Sequence, residues 1–256
     1  SFALPPSALA LEPSDLLRID SGGRARLVRI TEIGDGGRRE ITALGIDPAA
    51  YDRLPAPVRT TPAAPPPVYG VPEVAFLDLP LLRGDEVAHD GYLAAFQSPW
   101  PGGAAFYRTP ETTGYVLKAL AARRAVMGQS MSVLAPHPPG RWDRANALVV
   151  ALHAGELTGV SDLGLLEGRN LAALARPDGS WEVLQFRDAA LVAERTYRLT
   201  YLLRGQSGSE AFGPDPIPIG SSFVLLDGAV VPAGQSLADL HRTFNWRYGP
   251  ANRDIG

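Results

Sequence analysis

Apolar positions recur along this chain mostly in short runs or in alternation, the period of a β-strand rather than of a helix. The clearest instance is Thr196–Leu203, where Tyr197, Leu199, Tyr201 and Leu203 alternate with Thr196, Arg198 and Thr200. One face of that segment can bury aromatic and aliphatic surface while the other meets water, which predicts a half-buried antiparallel strand with Leu203 pointing inward. Upstream, Asn170–Ala175 runs into Pro177-Asp178-Gly179, and Trp181–Phe186 runs back out. Proline presets φ, Asp bonds to nearby backbone and Gly accepts positive φ, so this stretch predicts a hairpin.

Residues 14–20 and 24–33 mix β-branched, apolar and charged positions, Gly34-Asp35-Gly36-Gly37 reads as a turn, and Arg39–Ile46 returns. A three-strand unit is predicted there. About 50 residues bury too little apolar surface to offset chain entropy, so such a unit needs strands from elsewhere. From Pro55 to Pro67 six of thirteen positions are proline, which favours extended polyproline II and predicts a semi-rigid spacer. Beyond it, Glu73–Leu79, Tyr92–Gln97, Ala104–Arg108, Gly114–Leu120, Ala145–Leu152 and Ser222–Asp227 are further strand candidates, punctuated by Gly and Pro. The expected organisation is residues 1–54, a proline-rich linker over 55–72, and a β-rich domain over 73–256 that could divide in two near 155.

The fold class expected is all-β, a sandwich or barrel. Ala147–Leu152 is apolar on both faces and should be a central strand covered on both sides, whereas Lys118–Met127 is alanine-rich and stays open between helix and strand. A single helical turn is expected near Ser161–Glu167, capped by Ser161 or Asp162. No internal repeat and no heptad is found.

Composition narrows the function classes. A net charge of −3 at pI 5.8 provides no electrostatic footprint for nucleic acid, and Lys118 is the only lysine among 24 basic residues. Zero cysteines exclude disulfides, thiolate catalysis and cysteine-ligated metal in this chain. Ser1–Pro5 lacks an initiator methionine, a basic segment and an apolar core, so it is not an intact secretory signal and reads as a cut edge. No apolar run approaches the roughly 20 residues of a membrane-spanning helix, so no membrane insertion is expected.

Candidate chemistry is thin. Asp85, Glu86, His89 and Asp90 crowd four ligand types into six residues, but without the Gly-anchored loop or His-Glu-x-x-His spacing of a metal site. A solvated turn accounts for them better, and Arg83-Gly84-Asp85 is a coincidental tripeptide. His89, His137, His153 and His241 have no serine in a nucleophile elbow beside them, and Gly205-Gln206-Ser207-Gly208 lacks the register of Gly-x-Ser-x-Gly. Gly102-Gly103 and Gly205/Gly208 suit turns rather than phosphate cradles, because no helix pattern follows either. Trp100, Phe106, Tyr107, Trp142, Trp181, Tyr197, Tyr201 and Trp246 could line a carbohydrate platform, although core packing accounts for most. Trp100 and Trp142 lie in loop contexts and suit a subunit contact. Arg204, closing the clean alternation, is a candidate clamp on strand-end carbonyls or on a carboxylate such as Glu210.

Several segments also carry a resemblance: WEVLQF at Trp181–Phe186, YRLTYLLRGQSGSE at Tyr197–Glu210, LDLPLLRGDE at Leu77–Glu86, PWPGGAAFYR at Pro99–Arg108 and WDRANALVV at Trp142–Val150. Together they resemble the C-terminal part of the megatron, the very large tail-tip protein of alphaproteobacterial gene transfer agents, and the hub or host-specificity proteins of related long-tailed phages. The resemblance covers most of the chain, from about Glu12 onward. It implies the closing strands of a hub β-barrel followed by β-sandwich or barrel-like domains. It further implies a structural tail-tip or baseplate component that closes the tail tube and supports host attachment or envelope penetration. Implied partners are two further copies in a homotrimer and other tail-tip and baseplate proteins, and the implied location is a virion or gene transfer agent particle assembled in the bacterial cytoplasm and released. No catalytic, cofactor-binding or metal residue comes with it; the family's glycosidase-like barrel lies upstream, no enzyme activity is expected and no cofactor is implied. The alternatives are a carbohydrate-binding adhesin module with a host cell-surface glycan as partner, and, behind it, part of a glycoside hydrolase.

Overall fold

The computed structural model describes residues 1–5, 7, 8, 10–50, 68–82, 84–211 and 215–253. It divides into two compact units, Ser1–Pro65 and Pro66–Gly256. The proline-rich stretch from Pro55 to Pro67 lies outside the described residues, as does Arg83.

The first unit is one antiparallel sheet of four strands, β1 (Phe2–Leu4), β2 (Leu16–Ser21), β3 (Arg24–Asp35) and β4 (Arg39–Gly45), in the order β1-β4-β3-β2. The hairpin from β2 to β3 turns on Gly22 and Gly23 at φ 60° and 81°, between the paired Ser21 and Arg24. Two consecutive positive φ values match a two-residue turn to the twist of its strands, and glycine adopts them without a Cβ penalty. Three strands were expected from the pattern; the fourth, β1, is too short to show a period and exists through its pairing of Phe2 with Ile41. Among the described residues of this unit, Ile30 and Ile41 are the only buried apolar side chains, while Leu16 and Leu44 are 58% and 61% exposed.

The second unit contains β5 (Glu73–Leu77), β6 (Tyr92–Phe96), β7 (Ala104–Thr109), β8 (Val116–Ala121), β9 (Met127–Ser130), β10 (Trp142–Asp143) and β11 (Leu148–Leu152). After a short helix, α1 (Asp162–Leu166), come β12 (Leu171–Ala175), β13 (Trp181–Ala193), β14 (Thr196–Leu203), β15 (Ser222–Leu225), β16 (Val231–Pro232) and β17 (Asn245–Pro250). One sheet runs β10-β14-β11-β9-β15-β12-β13, and β13 pairs back onto β14, so six of its strands close a barrel with β10 appended. The all-β class expected from the pattern is therefore found, in its barrel form. Strands from both sides of residue 155 share this sheet, so a division there has no counterpart in the strand pairing.

Three apolar clusters stack through this unit. Leu148, Val150, Leu184, Phe186, Leu199 and Phe223 fill the barrel. Outside its wall, Val183 and Val224 pack against Leu77, Tyr92 and Ala94 of the small sheet β16-β6-β5. Leu93 and Ala95, on the other face of β6, meet Ala104, Phe106 and Ala121 of the sheet β17-β7-β8. β6 is covered on both faces, buried at every position, and so is the Trp181–Phe186 part of β13. The expectation for Ala147–Leu152 is corrected: on β11 Leu148, Val150 and Leu152 are buried, but Val149 and Ala151 only half so. Continuous apolarity alone did not distinguish a barrel stave from a middle layer.

Local punctuation works as the residue chemistry requires. Asp178 accepts from the Ser180 amide at 3.0 Å within the β12–β13 hairpin, and Gly179 sits at φ 86°. Ser161 caps α1 by accepting from Gly164 N at 3.1 Å. The open segment 118–127 resolves into the end of β8, a loop and the start of β9, with no helix. A second correction concerns β14: Tyr201 has φ 52°, which interrupts the alternation, and Leu202 rather than Leu203 is fully buried. Tyr201 instead lies under Arg187, whose guanidinium carbon is 3.6 Å from the ring centroid.

Candidate functional site

Burying an ionisable group is costly unless it is paired, so buried charges mark where this fold spends stability on specific geometry. Among the described residues the buried ionisable side chains are Arg108, Asp143, Arg176, Glu182 and Arg204. Four of them form one cluster. Glu182 shares the inward face of β13 with Leu184 and Phe186, and the break at Tyr201 turns Arg204 the same way as Leu202. Arg204 donates through Nε to Glu182 Oε1 at 2.5 Å and through Nη2 to Oε2 at 2.8 Å. Its Nη1 donates to the Ala135 carbonyl at 2.9 Å and reaches Asp143 Oδ2 at 3.5 Å. Arg176 Nη1 approaches Glu182 from the other side at 3.5 Å, and its Nη2 donates to the Asp215 carbonyl at 3.2 Å.

Asp143 is fully buried at β10, where the amides of Ala145 and Asn146 donate to its Oδ1 and the Asn146 side chain to its Oδ2. Burial pushes the carboxyl up, but the Asn146 bonds and the charges of His137 and Arg204 outweigh it, and the net value lies below the usual carboxylate range. His137 Nε2 stands 4.0 Å away. Two cations and two anions balance here, which makes a clamp that ties β10, β13 and the end of β14 together. The expected clamp at Arg204 is found. The carboxylate it holds is Glu182, 22 positions upstream; the side chain of Glu210, the carboxylate suggested by the sequence, is not among those described. Sequence reading missed Glu182, although a lone carboxylate alternating with Leu184 and Phe186 on an apolar face is a signal of a buried ion pair.

The fifth buried charge, Arg108, stands apart on β7. Its Nη2 donates to Asp239 Oδ2 at 2.8 Å, and its guanidinium carbon lies 4.0 Å from the centroid of the Phe244 ring. Asp239 also accepts from the amide and the hydroxyl of Ser236, and these bonds together with Arg108 hold its carboxyl well below the usual range. Neither Arg108 nor Asp239 was singled out from sequence, because 131 positions separate them.

The other sequence candidates scatter. The carboxylate of Glu86 accepts from Gly84 N, and Asp90 accepts from the Gly234 and Gln235 amides, so both acids hold loop backbone. No group of three or more His, Asp or Glu positioned to hold a metal ion occurs among the described residues. His153 pairs with Glu73 at 2.9 Å and lies against Phe96, while His137 Nδ1 contacts the Pro138 carbonyl. Of the aromatic set, Phe106, Trp181 and Tyr197 are core. Trp100 packs against the β6–β7 cluster from its loop; Trp142, expected in a loop, lies in β10 and pairs with Leu203. Half-exposed Phe76 meets Trp246 edge-on at 65°, which is not the coplanar display of a sugar platform. No described helix is long and apolar enough to cross a membrane.

Comparison with known protein families adds two matches. Residues 125–224 match the family described as Rcc01698-like, C-terminal, a span that starts just before β9 and ends within β15 and so coincides with the closed barrel. Residues 1–33 match the family described as putative phage tail protein. No curated protein matches the chain. The similarity of its N-terminal strands to a phage tail family supports a phage tail-associated role for this protein.

Proposed function

We propose that the chain is a structural component of the tail tip of a phage-like particle, a megatron-like hub segment that closes the tail tube and supports host attachment. In this reading residues 1–54 complete a ring of strands with two neighbouring copies, and the second unit carries the distal, host-facing parts. The observation that carries it is the small core of the first unit. Ile30 and Ile41 alone are buried there among the described apolar side chains, and Leu16 and Leu44 stand open. A four-stranded sheet with so little buried surface does not hold by itself, and its outer strands β1 and β2 present unpaired backbone that suits a neighbour. Closed three-fold symmetry satisfies every such edge at once. The match of residues 1–33 to the putative phage tail protein family supports the same reading.

Native mass measurement of the assembled tip tests it. A trimeric ring whose β2 and β3 amides exchange slowly only in the assembly is the expected result. A stable monomer with the same protection and no ring partners overturns it.

A further inference from the structure

The outward face of β13 packs Trp181 and Val183 against the small sheet, and the next position on that face is an amide, Gln185. Gln185 is 6% exposed. Its Nε2 donates at 2.7 Å to the Leu165 carbonyl and at 2.8 Å to the Arg169 carbonyl, so both amide hydrogens are spent on the chain around the end of α1. These two bonds fix the orientation of the amide and leave Oε1 as an acceptor without a hydrogen-bond partner among the described residues. Unlike Gln97 Oε1, which is buried without a partner, this oxygen is reachable by a water-sized group.

Gln185 lines a pocket of about 390 Å³, within the roughly 300–1,000 Å³ of small-molecule sites. Leu82, Leu171, Leu226 and Val230 give it an apolar wall, and the exposed carboxylates of Glu167 and Asp227 join the lining from the ends of α1 and β15. One Asp227 oxygen accepts from the Ala229 amide at 2.8 Å; the other, and both of Glu167, have no hydrogen-bond partner among the described residues. No Lys, Arg or His contributes to the lining. A polar group entering this pocket therefore meets a free amide oxygen and two negative charges, which suit a cationic donor. A metal ion is the poorer match, because no group of three or more acids or histidines is positioned to hold one among the described residues and the wall offers it only carbon. An ammonium brings three donors and a positive charge, and the carbon chain that carries it matches the wall.

We propose that this pocket binds an ammonium group on a short aliphatic chain, its nitrogen donating to Gln185 Oε1 while Glu167 and Asp227 balance its charge and its carbons lie along Leu82, Leu171, Leu226 and Val230. The site lies wholly in the second unit and stands whether or not the chain assembles into a tail tip.

Calorimetric titration of the 256-residue chain at neutral pH with n-butylamine, with n-butanol and with an end-blocked Gly-Lys-Gly peptide tests the assignment. The double variant Glu167→Gln, Asp227→Asn is the informative one, because both side chains are exposed and the asparagine keeps an oxygen for the Ala229 amide. Saturable binding of at least one ammonium probe, about tenfold or more weaker in the double variant and absent for n-butanol, is expected. Binding of n-butylamine alone identifies a free small amine as the ligand, binding of the peptide alone identifies a lysine of a partner protein, and binding of both identifies the ammonium itself as the recognised feature. Binding of neither ammonium probe overturns the proposal, as does equal binding by n-butanol or by the double variant.

Discussion

Arg204 and Glu182 meet as a two-pronged pair inside the barrel, Nε to Oε1 and Nη2 to Oε2, with both side chains buried. The planar fork of a guanidinium matches a carboxylate in a way that an ammonium cannot. Arg204→Ala is therefore expected to cost about 3 kcal/mol or more, because it strands Glu182 without its main partner, and Arg204→Lys nearly as much. Replacing both residues with leucine should recover much of the loss. Thermal melting of the three variants checks this, and a harmless alanine variant would sink the clamp.

Two glycines with crowded surroundings should respond unequally to alanine. A Cβ on Gly128 would come within 2.1 Å of the Ala151 carbonyl oxygen, a backbone atom of the neighbouring stave that cannot step aside. A Cβ on Gly228 would meet only the end of the Arg123 side chain, which can swing away. Gly128→Ala should cost about 3 kcal/mol, and Gly228→Ala no more than about 0.5 kcal/mol. Denaturant midpoints at constant slope measure both.

Acid should weaken the second unit through two identified carboxylates. Asp143 and Asp239 both titrate below the usual range in the folded chain, so the folded state prefers them ionised. Their contribution is fully present above the ordinary Asp value of about 3.9 and is lost as pH falls below it. Melting temperatures at descending pH should drop through that window, and Asp143→Asn should start lower and fall less steeply. A variant that falls as steeply as the parent would remove Asp143 from the account.

Chemistry is expected to be absent. With Glu86 and Asp90 holding loop backbone and no nucleophile-elbow serine beside a histidine in the sequence, the chain should release no reducing sugar from peptidoglycan or polysaccharide, and EDTA should leave its melting temperature unchanged. Either a clear release or a clear drop would overturn the structural reading.

Most strands were legible because their signal is local. The alternation at Tyr197 and Leu199, the Pro177-Asp178-Gly179 turn and the Ser161 cap each act within a few residues, and each is found where the residues put it. What escaped depends on partners far along the chain. β1, β10 and β16 are two or three residues long and are defined only by the strands they join. β17, six residues from Asn245, was missed, and its pairing with β7 from Asn245–Thr109 to Pro250–Ala104 is what defines it. The inward face of β14 was misassigned past Tyr201 because a positive φ at a tyrosine is not written in any periodicity. The pairs Arg204–Glu182 and Arg108–Asp239 join residues 22 and 131 positions apart on different elements, so the sequence shows one partner at a time.

The barrel also imposes an order on its own making. Met127 of β9 pairs with Val224 of β15, which slots between β9 and β12. These partners are about a hundred positions apart, a separation that slows folding by the entropy of closing so long a loop. During synthesis the stave at Ser222–Leu225 emerges last, so β9 and β12 wait with one flank each unpaired for roughly several seconds. A ribosome that stalled before Ser222 would thus release not a smaller barrel but an open one, with two adhesive flanks facing a gap one strand wide.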